Sequence, residues 1–255
     1  ACLCCINGEK FLNAFESNKV VCLYIDAENP IRLAKERTEK LIRGLVGKEL
    51  HGLKYTFNAG LKLDDEKSLF LLEEMIKQYK PKIVVLDSLV RFLSKSDESV
   101  STHMSPIFTA LKILSAKHKI SFLIIHHLRK SSDKSSEDMD DKVRGSSDIV
   151  NALDSLFVFT RADKNSGYVK ISNEKNRYDK ELEPITVAIT ENASTNSLSF
   201  VISHHAVEQK SISDKAAEDI AEWLRSKEWK DTASRVFKTA EANDQFALKF
   251  AKDDD

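Results

Sequence analysis

Five short groups of residues in this chain have the types and spacing that chemistry needs. Lys82 to Asp87 (KIVVLD) is an apolar run that ends in an acid, and Ser88 follows it. A carboxylate at the end of a buried strand can hold Mg²⁺, directly or through water, while the metal bridges nucleotide phosphates. Such an acid also serves many strands simply as a turn or cap residue. Tyr24 to Pro30 (YIDAENP) ends a second apolar run with Asp26 and Glu28. Glu28 is able to polarise a water as general base, although acids at a helix N-terminus are favoured in any case. Phe122 to His127 (FLIIHH) ends a third run in two imidazoles; neighbours on a strand point to opposite faces, so at most one of His126 and His127 faces a given crevice. Arg144 in RGSS, and Lys175 with Arg177 in KNR, complete the set. Arginine bonds phosphate oxygens bidentately and stabilises charge developing in a transition state, and isolated surface cations of this kind are also commonplace.

These groups need elements that bring them to one place. Lys19 to Asp26, Lys82 to Asp87 and Ile120 to His126 are dense in β-branched and apolar residues, the pattern of strands buried on both faces. Between them the spacing predicts a helix after Pro30, a short strand around Tyr55 to Phe57, a helix over Asp64 to Gln78 and another near Pro106 to His118. Residues 1 to 16 also read as a helix. Alternating strands and helices imply a parallel sheet covered on both faces, and ligands of such sheets sit at the carboxyl ends of the strands. Arg129 to Lys142 is polar and without apolar periodicity, hence a loop. Ser155 to Thr160, Gly167 to Asn173, Ile185 to Thr190 and Ser197 to Ser203 read as antiparallel strands on one edge of that sheet. The expected division is an α/β core over 1–208 and a small helical module over 209–255, either a winged helix or a plain helical tail.

Composition excludes some classes. Lys plus Arg number 39 against 40 Asp plus Glu, so no whole-chain charge draws the protein to a polyanion or a membrane surface; nucleic-acid contact requires a local basic patch. There is no apolar run long enough for a bilayer span and no signal-peptide pattern at Ala1 to Ile6, which points to a cytoplasmic protein without membrane attachment. Cys2, Cys4, Cys5 and Cys22 lack the paired spacing of a zinc site and read as small hydrophobes.

Taken together and in this order, LDSLVRF, IIHH, RGSS and KNR resemble the RecA-like P-loop ATPases, and within them the RepA-type hexameric plasmid replicative helicases; KNR is also similar to a segment of DnaB-type helicases. The resemblance covers roughly residues 1 to 205. It implies a RecA-like, mostly parallel sheet flanked by helices with an antiparallel edge, ATP and Mg²⁺ as cofactors, a homo-oligomeric ring, typically hexameric, and single-stranded DNA as the partner. Carried over by position, it makes Glu28 the catalytic carboxylate and Asp87, with Ser88, the Mg²⁺-binding end of a Walker B strand. His127, with His126 as the alternative, becomes the γ-phosphate sensor, and Arg144 a finger offered to the neighbouring subunit. Lys175 and Arg177 form a second pair for that interface.

The chain departs from the family in one respect: no GxxxxGK[ST] occurs, and Asn7 to Lys10 lacks the run of backbone N–H groups a phosphate cradle needs. Residues 1 to 16 look like the helix such a loop opens, and the expectation is a loop upstream of Ala1. The competing readings are a RecA-like loader, regulator or recombination mediator without helicase activity, and a DNA-binding relative that has given up catalysis. A metal-dependent enzyme built on His126, His127 and Asp87 is a third.

Overall fold

The computed structural model describes residues 1–45, 50–57, 60–128, 147–161 and 167–203. All belong to one unit, Ala1–Val207; the helical module expected beyond it, the polar stretch 129–142 and Arg144 lie outside the described residues.

The first half alternates as its patterning requires. Helix α1 (Cys2–Asn7) leads to β1 (Cys22–Asp26), α2 (Ile31–Gly44) and β2 (Leu53–Phe57), and then to α3 (Glu66–Tyr79), β3 (Ile83–Asp87), α4 (Ser101–His118) and β4 (Ser121–Ile125). The four strands are parallel in the order β2-β1-β3-β4. β1 therefore departs toward β2 while β3 departs toward β4, and the connections diverge between β1 and β3. That divergence opens a crevice at the strands' carboxyl ends, where Asp26 and Asp87 stand in register.

β1 and β3 bury an apolar face made by Leu23, Ile25, Val84 and Leu86, while their opposite face buries Cys22 and Val85 before it turns polar at Asp26 and Asp87. Leu23, Ile25, Val84 and Leu86 join Leu72 and Ile76 of α3 and Met104, Ile107, Phe108 and Leu111 of α4 in one core. Removing one of these large side chains costs about 2–5 kcal/mol by lost burial and a residual cavity. α3 starts where Asp65 accepts the Ser68 N–H at 2.9 Å, an N-cap. After β3 a single 3₁₀ turn, Leu89–Phe92, leads to a loop fastened by Asp64. The Asp64 carboxylate accepts the backbone N–H groups of Ser94, Lys95 and Ser96 at 2.8 to 3.1 Å. Although burial raises its pKa, those donors hold it well below the usual carboxylate range.

Three sequence expectations are corrected. The helix expected over residues 1 to 16 stops at Asn7, because Gly8 takes a left-handed φ of 70° and Glu9 N–H closes on Cys4 O at 3.0 Å. The helix placed from Pro106 begins at Ser101, and Pro106 lies inside it; burial of Met104, Ile107 and Phe108 on either side offsets the lost hydrogen bond.

The third correction concerns the second half. β5 (Ser155–Arg161), β6 (Tyr168–Asn176), β7 (Ile185–Asn192) and β8 (Ser197–Ser203) are antiparallel neighbours in sequence order, but they form their own four-stranded sheet rather than an edge of the first. β5 buries Val158 while Phe157 and Phe159 are 45% and 61% exposed, the one-sided alternation of a partly solvated antiparallel sheet. A short helix, α5 (Ser147–Ala152), precedes it and buries Ile149 and Val150 in the core. The second sheet also meets α2. Lys40 pairs with Glu191 at 2.6 Å, Arg43 Nε donates to Asn196 O at 2.9 Å, and Gly44 passes directly under the Leu198 carbonyl.

Candidate functional site

The crevice between β1 and β3 collects most of the residues singled out by type. Asp26 ends β1 and is 2% exposed. Its Oδ1 accepts the N–H groups of Glu28 at 3.0 Å and Asn29 at 2.8 Å, and its Oδ2 accepts the Tyr55 hydroxyl at 2.7 Å. Burial alone would raise its pKa; the donors outweigh it and keep the acid ionised below its ordinary value. Asp26 is thus the organiser of the turn that leads into α2, and that turn aims Glu28.

Glu28 is the more accessible acid, with a side chain 29% exposed. The Ser88 hydroxyl donates to its Oε2, and His127 Nε2 stands 3.5 Å from the same oxygen. The Ser88 hydrogen bond, then the His127 imidazole, lower its pKa, so the group is a carboxylate at neutral pH. Ser88 itself is fully buried, and the peptide bond that joins it to Asp87 is cis. Asp87, half-buried, accepts the Tyr24 hydroxyl on Oδ2 at 2.6 Å. Burial raises its pKa, opposed by the Tyr24 donor.

The residues therefore gather from three strand ends: Glu28 after β1, Asp87 and Ser88 after β3, His127 after β4. His127, exposed, reaches Glu28; His126 is half-buried beside it. Lys175 and Arg177 do not join this group. Lys175 Nζ donates to the carbonyls of Val150 at 2.9 Å and Asn151 at 3.3 Å. Arg177 Nη2 donates to Asn151 O at 2.9 Å and Nη1 pairs with Asp154 at 3.3 Å. Both cations cap the carboxyl end of α5, where the helix leaves carbonyls unsatisfied and its dipole favours positive charge.

Sequence reasoning passed over Tyr24 and Tyr55 as ordinary strand residues. The signal was present: Tyr24 lies two residues before Asp26, hence on the same face of β1, and Tyr55 is in register with Tyr24 on the neighbouring strand. Arg91, exposed in the 3₁₀ turn, is also near enough to favour the charged form of Glu28.

Carboxylate and hydroxyl oxygens are hard donors that suit Mg²⁺, which is held by one or two carboxylates together with nucleotide phosphates and water. Among the described residues no group of three or more His, Cys, Asp or Glu side chains is arranged to hold a metal. A metal at this crevice would rely on Asp87 and on its ligand's own oxygens. No helix among the described residues is long and apolar enough to cross a membrane.

A parallel sheet flanked by helices, with acids at the switch point, is the α/β core of the RecA-like P-loop ATPase superfamily. The AAA domain family matches residues 1–133 of the 255-residue chain, and the chain belongs to that family. Among solved structures, the crystal structure of the RadB recombinase is similar over 70% of this chain and 78% of that one, with 16% identity and a TM-score of 0.47. No curated protein matches the chain.

Proposed function

We propose that this protein is an Mg²⁺-dependent ATPase of the RecA type that acts on DNA as a loader or recombination mediator, assembled as a homo-oligomer. The observation that carries the ATPase reading is the convergence of Glu28, Asp87 and His127 at the mouth of β1 and β3, with Ser88 joining two of them. Family membership supports nucleotide binding in general.

In this reading Glu28 orients a water and takes its proton, being ionised and reachable from solvent. Mg²⁺ bound with ATP supplies charge neutralisation at the phosphates. Asp87, at the end of β3, would hold that metal through its carboxylate. His127, in contact with Glu28, links that base to the end of β4, as a residue that senses the terminal phosphate must. Arg144 is proposed as the cation offered to a neighbouring subunit's nucleotide.

The second reading is a hexameric replicative helicase of a plasmid or mobile element, moving on single-stranded DNA. It is favoured by the motif set LDSLVRF, IIHH and KNR. The loader or mediator reading stands first because Lys175 and Arg177, the second pair a ring motor would offer across its interface, are engaged within their own subunit. ATP-dependent, directional strand separation by the full chain would reverse that order.

The central test is Glu28→Gln in the full chain. Hydrolysis should fall by about 10²- to 10⁴-fold, the usual worth of a general base, while ATP binding persists. Undiminished turnover would remove Glu28 from the mechanism. A wild-type protein that neither binds nor hydrolyses ATP would leave a non-catalytic DNA-binding role.

A further inference from the structure

Two tyrosines lie under the acids, and no step above uses them. Tyr24 on β1 and Tyr55 on β2 are in register, and their rings stack with centroids 4.7 Å apart and planes inclined by 14°. Phe57 continues the stack at 4.6 Å from Tyr55. Each tyrosine then reaches diagonally to the acid on the next strand. Tyr55 on β2 donates to Asp26 on β1, at 2.7 Å, and Tyr24 on β1 donates to Asp87 on β3, at 2.6 Å. The donors climb one side-chain step toward the carboxyl ends as they cross the sheet.

The arrangement answers a specific electrostatic problem. Asp26 and Asp87 are cross-strand neighbours on one face, and like charges so placed are destabilising. Asp26 is relieved by four donors: the Glu28 and Asn29 N–H groups, the Asn29 side-chain amide and Tyr55. The hydrogen bond from Tyr24 is the one that fixes Asp87 Oδ2. A half-buried phenol stacked on a second ring has little rotational freedom, so its hydroxyl defines a direction as well as a charge contact.

We propose that Tyr24 is a positioning residue for the metal-binding acid: its hydroxyl pins Oδ2 of Asp87 and so dedicates the other carboxylate oxygen to the Mg²⁺ that accompanies ATP. Tyr55 performs the equivalent service for Asp26, which shapes the turn before α2 and has no part in metal binding. The inference rests on the reading of Asp87 as the acid that serves Mg²⁺ and ATP.

The test compares Tyr24→Phe and Tyr55→Phe in the full chain, since both keep the ring and remove one hydroxyl. Binding of N-methylanthraniloyl-ATP is followed by fluorescence across a Mg²⁺ titration and in EDTA, alongside the thermal midpoint. Tyr24→Phe should raise the Mg²⁺ concentration for half-maximal binding about tenfold, as loss of a charge-assisted hydrogen bond to a metal ligand does, and leave binding in EDTA unchanged. Tyr55→Phe should leave the Mg²⁺ dependence where it is. An unshifted Mg²⁺ titration in Tyr24→Phe, with wild-type binding clearly Mg²⁺-dependent, overturns the assignment and spares the ATPase reading. Equal shifts in both variants overturn it too, since they indicate a loosened stack. Wild-type protein that binds no nucleotide at any Mg²⁺ concentration overturns both.

Discussion

The Ser88 hydroxyl donates to the Glu28 carboxylate, so a residue at the end of β3 holds the acid that leaves β1. Two loops that diverge in the topology are tied at the point where they part, and the tie is charge-assisted, the stronger class of hydrogen bond. Ser88 has no solvent exposure, so no water replaces the bond if the hydroxyl is removed without rearrangement.

Ser88→Ala should therefore lower ATP turnover about tenfold, the size of one hydrogen bond to a charged group, with the KM for ATP little changed. Ser88→Thr restores the hydroxyl and should recover most of the loss. Steady-state hydrolysis by the two variants checks this, and equal defects in both would mean that packing around Ser88, not the bond, sets the rate.

Gly44 ends α2 where the second sheet crosses it. A Cβ at this position would lie 2.1 Å from the Leu198 carbonyl oxygen, with backbone on both sides unable to yield cheaply. Gly44→Ala should destabilise the protein by about 1–3 kcal/mol through overpacking, despite alanine's better helix propensity. The denaturant midpoint measures it; a stabilised variant would show that α2 and β8 separate easily.

Glu73 on α3 gathers Lys117 at 2.7 Å, His118 at 2.9 Å and Lys77 at 3.6 Å, which ties α3 to α4. The Lys117 and His118 hydrogen bonds lower its pKa from 4.5 to about 2. A folded-state pKa below the unfolded one gives stability that is complete above about 4.5 and is lost as pH falls toward 2. Glu73→Gln should be less stable than wild type at neutral pH, and the gap between their urea midpoints should close across that acid window. A gap that stays constant down to pH 2 would remove the ion cluster as its cause.

Much of this was legible in the sequence, because strands buried on both faces announce themselves. Lys82 to Asp87 and Phe122 to Ile125 carry enough β-branched and apolar residues to fix where their ends fall, and a parallel sheet then places Asp87, Glu28 and His127 together. The shortened first helix was not legible in the same way, since apolar periodicity over residues 1 to 16 is satisfied equally by a helix and by the Phe11–Phe15 bridge that replaces its second half. That the second sheet stands apart from the first depends on whether one of its strands pairs with a strand of the parallel sheet, which alternation within β5 cannot reveal. Lys175 and Arg177 were open for a related reason: a cation that caps a helix and a cation that reaches a phosphate are the same residue type, and only the position of α5 shows which carbonyls they meet within this chain. Tyr24 and Tyr55 were hidden by being good strand formers, whose hydroxyls matter only once three strands are laid side by side.

The Asp64 fastening gives the loop after β3 a mechanical character. With Ser88 anchored at Glu28 and three consecutive amides anchored at Asp64, the span between them is a beam on two supports, stiffened by the 3₁₀ turn in its middle. Slack chain absorbs a displacement, whereas a beam hands it on. The acid at one support is thereby connected to the start of α3 by a short, continuous path through Ser88, the 3₁₀ turn, Asp64 and its neighbour, the Asp65 cap.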